Sequence, residues 1–170
     1  MNGSYHIRVF QPSDLDALIA ITLATFEPVS IDRNMERLLG AFGNGDWKSR
    51  KAAAIREDCR AQPDGVFVAE DAAGQVVGYV TTRLLRASGI GWIPNLAVVP
   101  QHQNRGLGRR LLEHALDWLR SSGMSVAKIE TLEQNPIGQR LYPALGFVEV
   151  ARQVHYAMRL DREEGDAGNG

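Results

Sequence analysis

The chain has 170 residues, 44% hydrophobic and 23% charged, and 19 lysines and arginines against 20 aspartates and glutamates leave a net charge of −1. That length suits one core, the composition is that of a soluble globular protein, and near-neutrality excludes the broad basic footprint of a nucleic-acid binder. A single cysteine, Cys59, excludes an internal disulfide or a thiolate metal cluster, and no apolar run reaches membrane-spanning length.

The N-terminus lacks the basic-then-apolar order of a signal peptide, so the cytoplasm is the expected compartment. "YHIRVF" (5–10) alternates and predicts a first strand. The next segment offers Ser13 as a helix cap, with Leu15, Leu18, Ile19, Thr22 and Leu23 at helical spacing. Two further helical stretches are expected at about 32–40 and 46–61, split by "GNG" at 43–45. Cys59 falls in the second of these and reads as a small packed hydrophobe.

"VFVAE" and "VVGYVTTRLL" flank the short connection "DAAGQ" and predict a hairpin, which "IGWIPNLAVV" extends as a third antiparallel run. Pro94 inside that run has no amide to donate, so a bulge or an unpaired edge is expected there. A helix with Leu107, Leu111, Leu112, Ala115, Leu116 and Leu119 on one face follows, ending at Gly123. "SVAKIETL" (125–132) predicts another strand. Asn135 and Pro136 then open a helix that Gly146 stops. "FVEVAR" and "VHYAMRL" predict a closing hairpin, and "DREEGDAGNG" a polar, disordered tail. One domain over 1–160 and a tail over 161–170 are therefore expected.

The junction "PQHQNRGLG" joins the third strand to the long helix. Its glycines permit positive φ and close approach, the first helical amides have no intrahelical partner, and Arg105, Arg109 and Arg110 surround them. An anionic phosphate is the natural guest. A plain tight turn is one reading of this junction. A dinucleotide-binding turn is a second, with Glu130 about twenty residues on, but Leu111 stands where its third glycine belongs. A P-loop is weaker still, because its lysine and hydroxyl residue are missing.

"QNRGLG" resembles the Q/R-x-x-G-x-G/A motif of the GNAT superfamily of N-acyltransferases, and the likeness runs on through "LAVVP", the long helix, "IETLEQNPIGQRLYPALGF" and the closing strands. In the motif region it is similar to the bacterial ribosomal-protein-acetylating type. The resemblance implies an α/β (α+β) fold. Its central sheet would be mixed and mostly antiparallel, with about seven strands, flanking helices and a splayed acyl-CoA cleft.

It also implies acetyl-CoA as co-substrate, with no metal. Backbone amides of Gln103, Asn104, Arg105, Gly106, Leu107, Gly108 and Arg109 would hold its pyrophosphate, and Leu96, Ala97 and Val98 its pantetheine arm, with the Val98 amide polarising the thioester carbonyl. Asn135 would contact the pantetheine, or serve as helix cap, or both. Tyr142 would protonate the departing thiolate. Its alternative is packing under the sheet. Glu130 would act as base, directly or through water, or be an ordinary ion-paired strand residue. Trp92 occupies the place where some members carry a glutamate.

The implied reaction is acetyl transfer to a primary amine, the acceptor being a small molecule or a protein N-terminus or lysine, with neither nucleic acid nor membrane as partner and a monomer or homodimer as the working form. The alternative is a CoA-binding sensor or interaction module without turnover. Glu27, Asp32, Glu36 and Asp46 among Phe26, Phe42 and Trp47 suit a cationic amine, but suit an ordinary helix-pair surface better. The four histidines form no constellation, although His155 and Tyr156 are placed to border an acceptor site.

Overall fold

A computed structural model describes residues 4–161. Of the expected tail only Asp161 falls within them; the remainder lies outside the described residues. Five strands, β1 (His6–Val9), β2 (Phe67–Glu70), β3 (Val76–Leu85), β4 (Ile90–Val98) and β5 (Val126–Ile129), form one sheet in sequence order. The first four pair antiparallel and β5 joins β4 in parallel. A parallel neighbour needs a crossover, and α4 (Leu107–Ser121) supplies it.

Helix α4 covers one face of the sheet. Its Leu111, Leu112 and Ala115 are wholly buried against Val80, Ile93 and Val98, as the leucine stripe requires. The fit is close at Gly91, where a Cβ would stand 2.5 Å from Leu119. Truncating a leucine this deeply buried costs about 2–5 kcal/mol. Helices α1 (Leu15–Thr25) and α3 (Trp47–Ala61) cover the other face, packing Leu18, Ile21 and Ile55 on Val68, Tyr79 and Ala97. Helix α2 (Ile31–Leu39) lies against α3, and α5 (Pro136–Leu141) follows β5.

Three expectations are corrected. Ser13 caps nothing; it sits inside a 3-10 turn. Asp14 closes that turn, accepting from the Gln11 amide at 2.7 Å while the Arg8 guanidinium grips its carboxylate at 2.7 and 2.9 Å. The strand expected over 125–132 ends at Ile129, leaving Glu130 beyond it. The closing hairpin is absent among the described residues, so the sheet has five strands rather than about seven. Residues 147–160 run on without strand pairing, with Val148, Val150, Val154, Tyr156, Met158 and Leu160 all exposed. Alternation specifies an extended chain but not the strand that will accept it. Its polar ties are an exposed pair of Arg152 with Glu133 at 2.9 Å and the bonds of Arg159 to the carbonyls of Leu39, which ends α2, and Ala41.

Candidate functional site

The central feature is the place where β4 and β5 part. Their pairing ends at Ile93 with Ile129, one residue before Pro94. On the other side the β3 register slips across the same point, from Arg83–Trp92 to Thr81–Asn95. Pro94 therefore sits in a bulge, as its missing amide predicts. Beyond it, Leu96–Val98 pair with β3 alone.

Which of their backbone groups remain open follows from parity. Val99 donates to the Val77 carbonyl at 2.9 Å, and antiparallel pairs alternate between bonded and non-bonded. Asn95 and Ala97 thus turn their amides and carbonyls toward β3, while Leu96 and Val98 turn theirs into the gap. The Val98 carbonyl takes a hydrogen bond from the Gln103 side chain at 2.8 Å, which agrees with that direction. Ala97 is thereby corrected. Its backbone belongs to the β3 ladder, and its side chain to the core at 5% exposure.

The gap leads to the start of α4. Gly106 is the N-cap at φ +77, a left-handed conformation that favours glycine, and Asn104 is also left-handed at φ +58. No side chain caps this helix and no acidic residue lies in its first turn. The amides of Leu107, Gly108 and Arg109 are thus left to an outside acceptor, with the positive end of the helix dipole behind them. Of the surrounding arginines, Arg109 reaches Glu113 at 3.2 Å and the Ala144 carbonyl at 2.9 Å, and Arg110 holds the Tyr5 carbonyl at 3.0 Å. Arg105 is exposed and has no ion-pair partner among the described residues.

Tyr142 ends α5 beside this turn, packed with Leu141 against the cluster that holds Val98 and Leu107. Gly138 makes room for its ring, since a Cβ there would stand 3.1 Å from Tyr142 Cε2. Burial pushes the Tyr142 hydroxyl up to about 12, and it has no hydrogen-bond partner among the described residues. Asn135 caps α5 by accepting from the Gly138 amide at 3.3 Å, and its Nδ2 donates to Thr131 at 2.9 Å.

Residues 32–147 match the acetyltransferase (GNAT) family. The chain belongs to the GNAT family. It is 32% identical over 158 residues to a mycothiol acetyltransferase of Stackebrandtia nassauensis, a match covering 86% of this chain and 51% of that relative. It is 39% identical over 70 residues to the ribosomal protein bS18-alanine N-acetyltransferase of Escherichia coli, covering 41% of this chain and 47% of that one. The chain thus spans about half the length of these curated relatives. In fold it is similar to a GNAT family acetyltransferase of Brucella melitensis solved with acetyl-CoA, with a TM-score of 0.61 at 24% identity over 86% of this chain and 84% of that one.

Glu130 lies just past the end of β5. It is half-exposed and paired with Lys128 at 2.6 Å, and Lys128 in turn lies 5.7 Å from the centre of the Trp92 ring. The Trp92 indole nitrogen is buried without a partner among the described residues. The four acids between α1 and α3 are bonded within the chain, as an ordinary helix-pair surface requires. Glu27 pairs with Arg33, Asp32 and Glu36 with Arg50, and Asp46 caps α3 through the Ser49 amide. His102 bonds Tyr5 at 2.9 Å and His114 packs edge-on to Phe67. Cys59 is buried, and that burial raises its thiol to about 11, as befits a packed hydrophobe.

One constellation escaped the sequence reading. Lys51 donates to Asn95 Oδ1 at 3.2 Å and lies 4.5 Å from the Phe26 ring centre. Asn95 Nδ2 donates to Asp58 at 2.7 Å and to Thr81 at 3.0 Å, and Asp58 also takes Arg83 at 2.6 Å. This buried polar chain pins α3 to β4 beside the bulge. A lone asparagine in "WIPNLAVV" was its one visible signal.

Proposed function

We propose that this domain is an acetyl-CoA-dependent N-acetyltransferase that moves the acetyl group to a primary amine by direct attack on the thioester. The observation that carries the reading is the strand edge at Leu96 and Val98, open on one side and leading straight to the uncapped first turn of α4. An extended amide-bearing arm ending in a pyrophosphate fits that pairing of an open edge with free amides.

Acetyl-CoA supplies an activated acyl group and a thiol leaving group. The amides from Asn104 to Arg109 hold the pyrophosphate, the Gln103 amide being spent on the Pro100 carbonyl at 3.2 Å and its side chain on Val98, while Leu96 and Val98 pair with the arm. The Val98 amide stabilises the charge that develops on the carbonyl oxygen. As the amine adds and the carbon–sulfur bond breaks, Tyr142 gives its proton to the sulfur. Its raised pKa keeps that proton in place at neutral pH. The proton lost by the amine goes to Glu130, directly or through water. Asn135 holds the loop between β5 and α5 in register and contacts the arm. The acceptor is a small-molecule amine or a protein amine, and the relatives named above include both kinds by name.

Thermal unfolding with acetyl-CoA, CoA, NAD and ATP tests the binding half. Acetyl-CoA at a hundred times its Kd adds about 2.7 kcal/mol of stability. Thiol release with an amine panel tests turnover. Stabilisation by acetyl-CoA without thiol release makes the domain a CoA-binding module, and stabilisation by NAD alone overturns the reading.

A further inference from the structure

A hollow of about 270 Å³ opens between the turn after α1, helix α2 and the loop after β5. It is lined by Glu27, Pro28, Arg33, Asn34, Arg37 and Gln134. Two hydrogen bonds bridge its walls, from Asn34 to the Gln134 side chain at 3.4 Å and from Gln134 to the Pro28 carbonyl. Gln134 directly precedes Asn135 and lies four residues from Glu130, so the hollow shares a loop with the proposed reaction site.

Its charge balance is the reverse of what a cationic acceptor would need. The nearby acids are occupied: Asp32 and Glu36 by Arg50, and Glu133 by Arg152. Glu27 is the one acid in the lining, and its bond to Arg33 is long, 3.4 Å, and largely exposed. Such a pair contributes little and is readily exchanged for another carboxylate. Arg37 has no carboxylate partner among the described residues. The lining therefore sets two guanidiniums, the exposed Arg37 and the weakly paired Arg33, against one acid, while its two side-chain amides brace the walls through their bonds to each other and to Pro28. Arginine presents a planar fork matched to a carboxylate.

We propose that this hollow is an anion subsite of the acceptor cleft, and that the preferred acceptor is an amine carrying a carboxylate, which Arg37 and Arg33 hold. This rests on the acetyltransferase reading for the identity of the second group, the amine.

The test uses ω-amino acids of increasing chain length, each beside its own carboxamide, so that the amine is nearly constant while the anion is removed. Acetyl transfer to at least one acid is expected to exceed that to its amide by about tenfold or more in kcat/KM, the usual worth of a charge-assisted hydrogen bond. Arg37→Gln should bring that acid down to the level of its amide, and Arg37→Glu should favour diamines instead. If no acid outperforms its amide, or if the advantage survives Arg37→Gln, the proposal is overturned while acetyl transfer itself stands. If no amine is acetylated, calorimetry with the N-acetyl derivatives of the same acids and amides decides separately. Arg37-dependent binding of the acids alone keeps the anion subsite without turnover of these amines; equal binding or none discards the subsite.

Discussion

The half-buried Lys51 on α3 and the buried Asn95 on β4 meet, ammonium to amide oxygen at 3.2 Å. Asn95 is 4% exposed and is the hinge of the whole polar chain, since Asp58 and Thr81 also depend on its Nδ2. Asn95→Leu keeps the volume but strands the Asp58 carboxylate oxygen and the Lys51 ammonium. Leaving buried charged partners unsatisfied costs about 3 kcal/mol or more, which a urea midpoint will read.

The same ammonium gives stability a pH dependence of definite sign. Burial lowers the Lys51 pKa, opposed by the charges of Asp32 and Asp58. The folded state therefore binds its proton less tightly than the unfolded chain. The resulting penalty is fully present below the folded pKa and fades as pH rises from there toward the unfolded value of about 10.4. Lys51→Met removes the titration. The stability of wild type relative to this variant should rise with pH across that alkaline window, measured as the difference in urea midpoints from pH 7 to pH 10. A flat difference would show that Lys51 is not desolvated.

The two glycines of the turn are there for different reasons, and substitution should separate them. Gly106 has open space above it but a φ of +77, so Gly106→Ala costs about 1–2 kcal/mol of backbone strain and disturbs the amides at the helix start. Gly108 lies inside the first turn, and a Cβ there meets nothing nearer than 3.7 Å. Gly108→Ala should stabilise the protein by up to about 1 kcal/mol through helix propensity and leave acetyl-CoA binding nearly intact. Melting curves with and without acetyl-CoA distinguish the two variants.

Residues whose roles are local were legible before the fold was known. The leucine stripe of α4, the bulge at Pro94, the cap at Asn135 and the turn at Gly106 all follow from spacing or from one residue's backbone chemistry. What was not legible depends on partners far away in sequence. Asn95 and Asp58 are 37 residues apart, and nothing in either segment announces the other. The parity that turns Leu96 and Val98 outward and Ala97 inward is set by pairing with β3, so three adjacent apolar residues read alike until the register is seen. The alternation from Val148 to Leu160 is a strand pattern without a specified partner, and it misled for that reason.

Tyr142 offers a sharp separation of chemistry from structure. Its ring is half-buried and its hydroxyl has no hydrogen-bond partner among the described residues, so Tyr142→Phe should leave stability nearly unchanged. If the hydroxyl protonates the leaving thiolate, the same change lowers kcat by about 10²–10⁴ with acetyl-CoA affinity preserved. With its pKa held up near 12 by burial, Tyr142 stays protonated through pH 10, and the rate should show no alkaline fall below that point. Loss of acetyl-CoA binding in step with kcat would mean that the ring only shapes the pocket.

Glu130 is the residue on which structure and proposed role pull apart most, because its carboxylate is half-exposed and already bound to Lys128 at 2.6 Å. Such a surface pair is worth no more than about 1 kcal/mol, so Glu130→Gln and Lys128→Met should each change stability by less than that. Their kinetics should differ. Glu130→Gln removes the proton acceptor and should lower kcat/KM for the amine by about a hundredfold or more at neutral pH, an effect that shrinks for amines with lower pKa, which arrive already neutral. Lys128→Met frees the carboxylate and should spare the rate. Equal, small losses in both variants would return Glu130 to being half of a surface ion pair, and a water or the amine's own equilibrium with solvent would then carry the proton.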